Sequence, residues 1–173
     1  NIIGQRKNIQ GAENMNINLI PAPKKITVKD GVFGFGTVHT EGLSDERLIK
    51  AANKLPVSKD GAKLSFKIGD GNLESYELLV LENEIKVSAD GVRGAFYAIQ
   101  TLRQLFKANE IPCLEIFDEP EFESRGFYHD VTRGRVQTVE TLKKLIDDMA
   151  YYKMNALQLY VEHTYEFNEY ADN

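Results

Sequence analysis

The sequence lacks the features that mark several broad classes of protein. Its 173 residues include a single cysteine, Cys113, so no internal disulfide can form, and no Cys/His spacing typical of a zinc site occurs. No apolar run approaches the ~18 residues that a membrane-spanning helix needs. With 21 Lys+Arg against 26 Asp+Glu, the chain lacks the excess of positive charge that attracts phosphates. We therefore expect no metal, no membrane segment and no nucleic-acid partner.

What the chain does have is the composition of a folded protein. Apolar residues make up 42% of it, with nine Phe and eight Tyr, which argues against general disorder. The length fits one domain, or one small domain plus part of another. Nothing in the composition chooses between a secreted, a periplasmic and a cytoplasmic location.

The first part of the chain divides into a polar segment and an α+β pattern. Residues 1–18 show no sustained hydrophobic period, and we interpret them as a leader or a disordered segment. Residues 19–118 carry the periods of strands and of two helices, and we expect an antiparallel or mixed sheet with both helices on one face. The expected strands are residues 26–29, 37–40, 64–68, 76–81, 85–89 and 111–117, and the short connection at residues 82–84 predicts that strands 76–81 and 85–89 form an antiparallel hairpin. The expected helices are residues 45–54 and 91–107, capped by Ser44 and Asp90.

Two clusters in this part invite a functional interpretation. The glycines of residues 31–36 lack the strand and helix that flank a phosphate-binding loop, so a turn or bulge is the better interpretation. The second cluster is acidic. Paired carboxylates catalyse glycoside hydrolysis, but nothing in this cluster would hold two carboxylates at a defined separation. We expect a solvated linker at residues 119–124 instead. The acidic cluster consists of Glu115, Asp118, Glu119, Glu121 and Glu123.

From residue 125 onward the pattern becomes strand, helix, strand. Residues 126–131 and 156–161 have the composition of strands. Between them, Thr138 is placed to cap a helix whose apolar residues recur at three- and four-residue steps through Met149. Because short loops connect the helix to both strands, we interpret the segment as a βαβ unit, whose two strands are expected to be parallel.

Several stretches resemble a known family. The run Arg125-Gly-Phe-Tyr-His-Asp130-Val-Thr-Arg133, with Tyr152-Lys-Met-Asn155 and the segment through Glu162 and His163, resembles the opening of the catalytic barrel in glycoside hydrolase family 20, the β-N-acetylhexosaminidases. Residues 19–23 and 94–105 resemble the α+β domain that precedes this barrel. The resemblance implies that residues 125–173 are a truncated β-α-β start of a (β/α)8 barrel, since a complete one takes about 250 residues.

The resemblance also implies a reaction. Family members remove terminal β-linked N-acetylglucosamine or N-acetylgalactosamine with retention, and the acetamido oxygen of the substrate attacks the anomeric carbon. A neighbouring Asp-Glu pair assists, and we expect it beyond Asn173. No catalytic residue is therefore assigned within the chain, which is expected to be inactive alone. The reaction needs no cofactor, and the remainder of the barrel is the expected protein partner.

Five residues are candidates for binding the sugar. The resemblance implies that Arg125 donates hydrogen bonds to sugar hydroxyls, as the matching arginine of the family does. The residues alone favour the alternative, in which Arg125 forms an ion pair with the acidic linker. Asp130 and Arg133 end the first strand, where they bind substrate or pair with each other. Glu162 and His163 end the second strand, on the face where such barrels build their sites.

Two other functions stay open. The α+β domain could serve as a non-catalytic interaction or carbohydrate-binding module. The chain could also be the N-terminal part of another acetamido-sugar hydrolase, such as an O-linked N-acetylglucosaminidase.

Overall fold

The computed structural model describes residues 17–134 and 136–162, which form two compact units. The larger unit ends at Glu121 and the smaller begins at Phe122. The predicted leader lies outside the described residues except for its last two positions. None of the helices in the described ranges is long and apolar enough to cross a membrane.

The larger unit is a six-stranded mixed sheet with two helices. Its strand order is β1-β6-β4-β5-β3-β2, in which β2/β3 and β3/β5 are parallel and the remaining pairs antiparallel. The mixed sheet agrees with the expected class, and β4 and β5 form the predicted hairpin. The elements are β1 (Lys25–Val32), β2 (Val38–Glu41), α1 (Glu46–Ala52), β3 (Ala62–Ile68), β4 (Tyr76–Val80), β5 (Glu84–Ala89), α2 (Val92–Leu105) and β6 (Pro112–Asp118).

One face of this sheet carries the apolar core, as the burial pattern of β3 shows. In β3, Leu64 and Phe66 are buried while Lys63 and Lys67 are exposed, as expected when successive side chains point to opposite faces. Helix α2 packs on β3, β4 and β5 and on α1. The sheet and both helices share one apolar core, centred on residues such as Leu78, Ile99 and Leu102.

Both helix caps predicted for this unit are wrong. Helix α1 is capped by Asp45, whose carboxylate accepts the N–H of Arg47 at 2.9 Å, rather than by Ser44. Helix α2 begins after Gly91 without a side-chain cap, and the Asp90 carboxylate accepts the N–H of Leu73 at 2.8 Å. The Asp90 side chain, which was expected to cap α2, instead bonds a backbone N–H of a neighbouring loop.

The glycine cluster lies at an irregularity in the sheet, as predicted. The register between β1 and β6 shifts between Val28 and Val32, and Gly31 within this stretch has a φ of 100°. This φ is one that residues with a Cβ rarely adopt, so glycine suits the bulge.

The acidic cluster is not a uniformly solvated segment, because Asp118 is buried at the end of β6. Its Oδ1 accepts the N–H of Lys24 at 3.2 Å, and its Oδ2 accepts the hydroxyl of Tyr76 at 3.1 Å. The Tyr76 hydroxyl is also 2.6 Å from Oγ1 of Thr101. Elsewhere in the cluster, Glu115 pairs with Lys29 and Glu121 with Lys24.

The smaller unit contains β7 (Gly126–Asp130), α3 (Val139–Tyr151) and β8 (Ala156–Tyr160). The two strands are parallel, and their register runs from Gly126 opposite Ala156 to Asp130 opposite Tyr160. Thr138 caps α3 by accepting the N–H of Thr141 at 3.3 Å. Among the described residues of this unit, only Met149 and Lys153 are buried.

Candidate functional site

Three of the predicted site residues lie where β7 and β8 end. Asp130 is the last residue of β7, Arg133 lies three residues later, and Glu162 follows β8 by two residues. Parallel strands end at the same edge of a sheet, so these residues are brought together. His163 lies outside the described residues. Arg125 precedes the first residue of β7 and therefore lies at the opposite end of the strand pair.

Asp130 and Arg133 pair with each other and hold the turn after β7. Oδ1 of Asp130 accepts the N–H groups of Thr132 at 2.8 Å and of Arg133 at 3.0 Å, while Oδ2 accepts Nε of Arg133 at 2.7 Å. The backbone N–H of Thr132 is the largest cause that lowers the pKa of Asp130 to about 2, followed by that of Arg133 and then the guanidinium. The carboxylate is therefore ionised at neutral pH.

Aromatic and polar side chains lie beside this turn. The guanidinium carbon of Arg133 is 5.1 Å from the centre of the Tyr160 ring, and that ring is 5.9 Å from the ring of Tyr128. Because Tyr128 is opposite Gln158 and Asp130 is opposite Tyr160, these four residues share one face of the strand pair. Their hydroxyl, amide and carboxylate groups are of the kind that bonds sugar hydroxyls.

The other face of the strand pair is mostly apolar. Alternation places Phe127, His129, Leu157 and Leu159 there. The Phe127 and His129 rings stack at 5.9 Å. The two strands therefore have one apolar face and one face that carries polar groups.

Arg125 contacts the backbone around the start of β7. Its Nε donates to the carbonyl of Lys153 at 2.8 Å, and its Nη1 donates to the carbonyl of Phe122 at 2.7 Å. The Asn155 side chain accepts the N–H of Arg125 at 2.8 Å and donates to the carbonyl of Glu123 at 2.7 Å. The structure thus keeps Arg125 apart from Asp130 and Arg133.

Sequence reasoning missed Thr132 and Tyr160 as parts of this edge. Both lie inside the stretches quoted above. The usable signal was the aspartate of the turn, because Asp side chains commonly bond backbone N–H groups two residues onward. No group of three or more His, Cys, Asp or Glu side chains placed to hold a metal ion occurs within the ranges 17–134 and 136–162.

Comparisons with known proteins match both units. The family described as "Glycosyl hydrolase family 20, domain 2" matches residues 16–119, and "Glycosyl hydrolase family 20, catalytic domain" matches residues 122–168. The beta-hexosaminidase of Porphyromonas gingivalis is 35% identical over 170 residues, which cover 80% of this chain and 22% of the relative. Beta-hexosaminidase B of Pseudoalteromonas piscicida is 30% identical over 158 residues, covering 84% and 20%.

A solved structure shows the same similarity. It is the GH20 exo beta-N-acetylglucosaminidase from Vibrio harveyi in complex with N-acetylglucosamine, which is 28% identical with a TM-score of 0.69 and covers 82% of this chain and 25% of that one. The chain thus spans between 20% and 22% of the length of the two curated relatives.

Proposed function

Because the chain belongs to glycoside hydrolase family 20, we propose that it contributes the N-terminal part of a retaining exo-β-N-acetylhexosaminidase. The substrate is a terminal β-linked N-acetylglucosamine or N-acetylgalactosamine, cleaved with participation of its own acetamido group. The observation that carries this proposal is the order of two matches in one chain, domain 2 followed by the catalytic domain.

The proposal includes a division of the chain. Residues 19–118 form the α+β domain, residues 119–124 the linker, and residues 125–173 the first βαβ portion of the catalytic barrel. The exposure of Phe127, Tyr128 and Leu159, each more than a third accessible, supports the last assignment. In a barrel, neighbouring strands and helices bury such side chains on both faces of the sheet.

The proposed sugar-binding residues are those at the carboxyl ends of the strands. Asp130 and Glu162 can accept hydrogen bonds from sugar hydroxyls, and Arg133 can donate to them. Barrels of this type build their sites at this end, which supports the choice. Arg125 is included on the resemblance alone, and His163 is included because it follows Glu162 in the sequence after the second strand. The residues are assigned binding and not proton transfer, since the assisting Asp-Glu pair is expected beyond residue 173.

An assay of the full-length protein that carries this sequence tests the proposal. We expect release of 4-nitrophenol from its β-N-acetylglucosaminide and none from the matching β-glucoside, because the glucoside lacks the acetamido nucleophile. The 173-residue chain alone should release none from either compound. Equal turnover of both compounds by the full-length protein would contradict acetamido participation, and no turnover of either would contradict the proposed reaction.

A further inference from the structure

We propose that Thr132 is a positioning residue, whose hydroxyl fixes the backbone after β8 and thereby the location of Glu162. The role of Glu162 as a sugar ligand rests on the function proposed above. The hydrogen bonds that support the proposal do not depend on that function.

The first step is the bridge that the hydroxyl makes. Oγ1 of Thr132 accepts the N–H of Glu162 at 2.9 Å and lies 3.4 Å from the carbonyl oxygen of Tyr160, to which it donates. A hydroxyl has one donor and two acceptor positions, so it can serve both groups at once. The N–H of Val131 also donates to the Tyr160 carbonyl, at 3.1 Å. The last residue of β8 and Glu162 are therefore joined to the turn after β7.

The second step is how the hydroxyl itself is held. The N–H of Thr132 bonds to Oδ1 of Asp130, and the same carboxylate bonds both the backbone and the guanidinium of Arg133. Arg133 in turn lies over the Tyr160 ring. Thr132, through its hydroxyl, and Arg133, through the Tyr160 ring, thus both link the turn to the end of β8. Asp130 orients the backbone that carries Thr132, and Thr132 orients the backbone that carries Glu162.

The third step concerns the place of Glu162 in the sheet. The ladder between the strands ends at the pair Asp130 and Tyr160, so the N–H of Glu162 lies beyond the regular pairing. The hydroxyl of Thr132 extends the connection to the second residue after the end of β8. Small displacements of a substrate-positioning group lower activity strongly, so loss of this bond should act on substrate binding.

Two substitutions separate the hydroxyl from the shape of the side chain. Thr132→Val removes the hydroxyl and keeps the branched shape, while Thr132→Ser keeps the hydroxyl. Hydrogen–deuterium exchange of the full-length protein, resolved to single residues, should show the Glu162 amide exchanging roughly 3- to 10-fold faster in the valine variant, the equivalent of one ordinary hydrogen bond. The Leu142 amide, which bonds to the carbonyl of Thr138 in the first turn of α3, is the internal control and should keep its rate.

Kinetics provide the second readout. We expect Thr132→Val to raise KM for the aryl β-N-acetylglucosaminide several-fold, and Thr132→Ser to restore it. An unchanged Glu162 exchange rate, or a lower Tm with KM unchanged, would overturn the proposal. If the wild-type protein hydrolyses no substrate, the proposed function fails, and the exchange rates alone then decide whether Thr132 positions Glu162.

Discussion

Replacement of Tyr76 by phenylalanine tests the buried polar contact at the end of β6. The tyrosine hydroxyl contacts Thr101 at 2.6 Å and donates to the Asp118 carboxylate at 3.1 Å. A hydrogen bond to a charged group contributes about 1.5–3 kcal/mol and a neutral one about 0.5–1.5 kcal/mol. Tyr76→Phe should therefore lower the free energy of unfolding by about 2–4.5 kcal/mol, since it removes both bonds and leaves a buried carboxylate with one donor fewer.

Urea unfolding at pH 7, followed by circular dichroism, measures this loss. Tyr128→Phe is a suitable control, because that side chain is more than half exposed, and its free energy of unfolding should change by less than about 0.5 kcal/mol. A double-mutant cycle with Asp118→Ala isolates the contact, because alanine has no acceptor for the Tyr76 hydroxyl, and the two substitutions should couple by at least about 0.5 kcal/mol. A loss below 1 kcal/mol in Tyr76→Phe, with no coupling, would refute the reasoning.

The same contact predicts a dependence on alkaline pH. Burial, and then the charge of Asp118, raise the pKa of Tyr76 well above its ordinary value. In the unfolded chain the hydroxyl ionises near pH 10, so unfolding releases a proton above that pH. The contribution is complete below about pH 10 and is lost as pH rises toward the folded pKa. Stability should therefore fall more steeply above pH 10 in the wild type than in Tyr76→Phe.

Two further predictions concern a glycine and the turn after β7. Gly42 has a φ of 80°, and a Cβ there would lie 2.8 Å from the carbonyl oxygen of Phe66, so Gly42→Ala should cost about 2 kcal/mol or more in urea unfolding. Gly36→Ala, where a Cβ would meet no atom within 4 Å, should lose nothing; equal losses would contradict the steric argument. For Asp130, a carboxyl titration by NMR should give a midpoint of about 2, so its contribution to stability is present above about pH 3.9 and is lost as pH falls toward 2. Arg133→Ala should leave the midpoint below 3.9, because the two backbone N–H donors remain, and a return to 3.9 would show that the guanidinium holds the shift.

Local periods were sufficient to predict much of the secondary structure. Helix α2 and the hairpin of β4 and β5 follow from apolar residues at fixed steps and a short connection. The parallel pairing of β2 with β3 and of β3 with β5 could not be predicted in this way, because it joins strands that a helix or another strand separates. The spacing of apolar residues indicates which face of a strand is buried, but it does not indicate which other strand lies beside it in the sheet.

Polar side chains were the main source of wrong predictions. Asp118 has acidic neighbours in sequence and appeared solvated, yet its partner Tyr76 is 42 residues away. Asp90 has the position of a helix cap, but it bonds to Leu73, 17 residues earlier. The preference of an aspartate for a cap is worth only about 1 kcal/mol, so a nearby unsatisfied N–H can compete for the same carboxylate.

The family motif spans both ends of β7, so the resemblance alone does not say which of its residues bind the sugar. The motif contains Arg125 and Asn155 at one end of the strand and Asp130 and Arg133 at the other. At the first end, the Asn155 side chain joins the backbone of Glu123 and Arg125, so the fixed spacing of this asparagine has a structural reason. At the second end, the turn presents charged groups beside Glu162. A motif of this kind therefore joins residues that hold the strand at its start to residues of the turn at its end, and it is at the turn that we propose most of the sugar contacts.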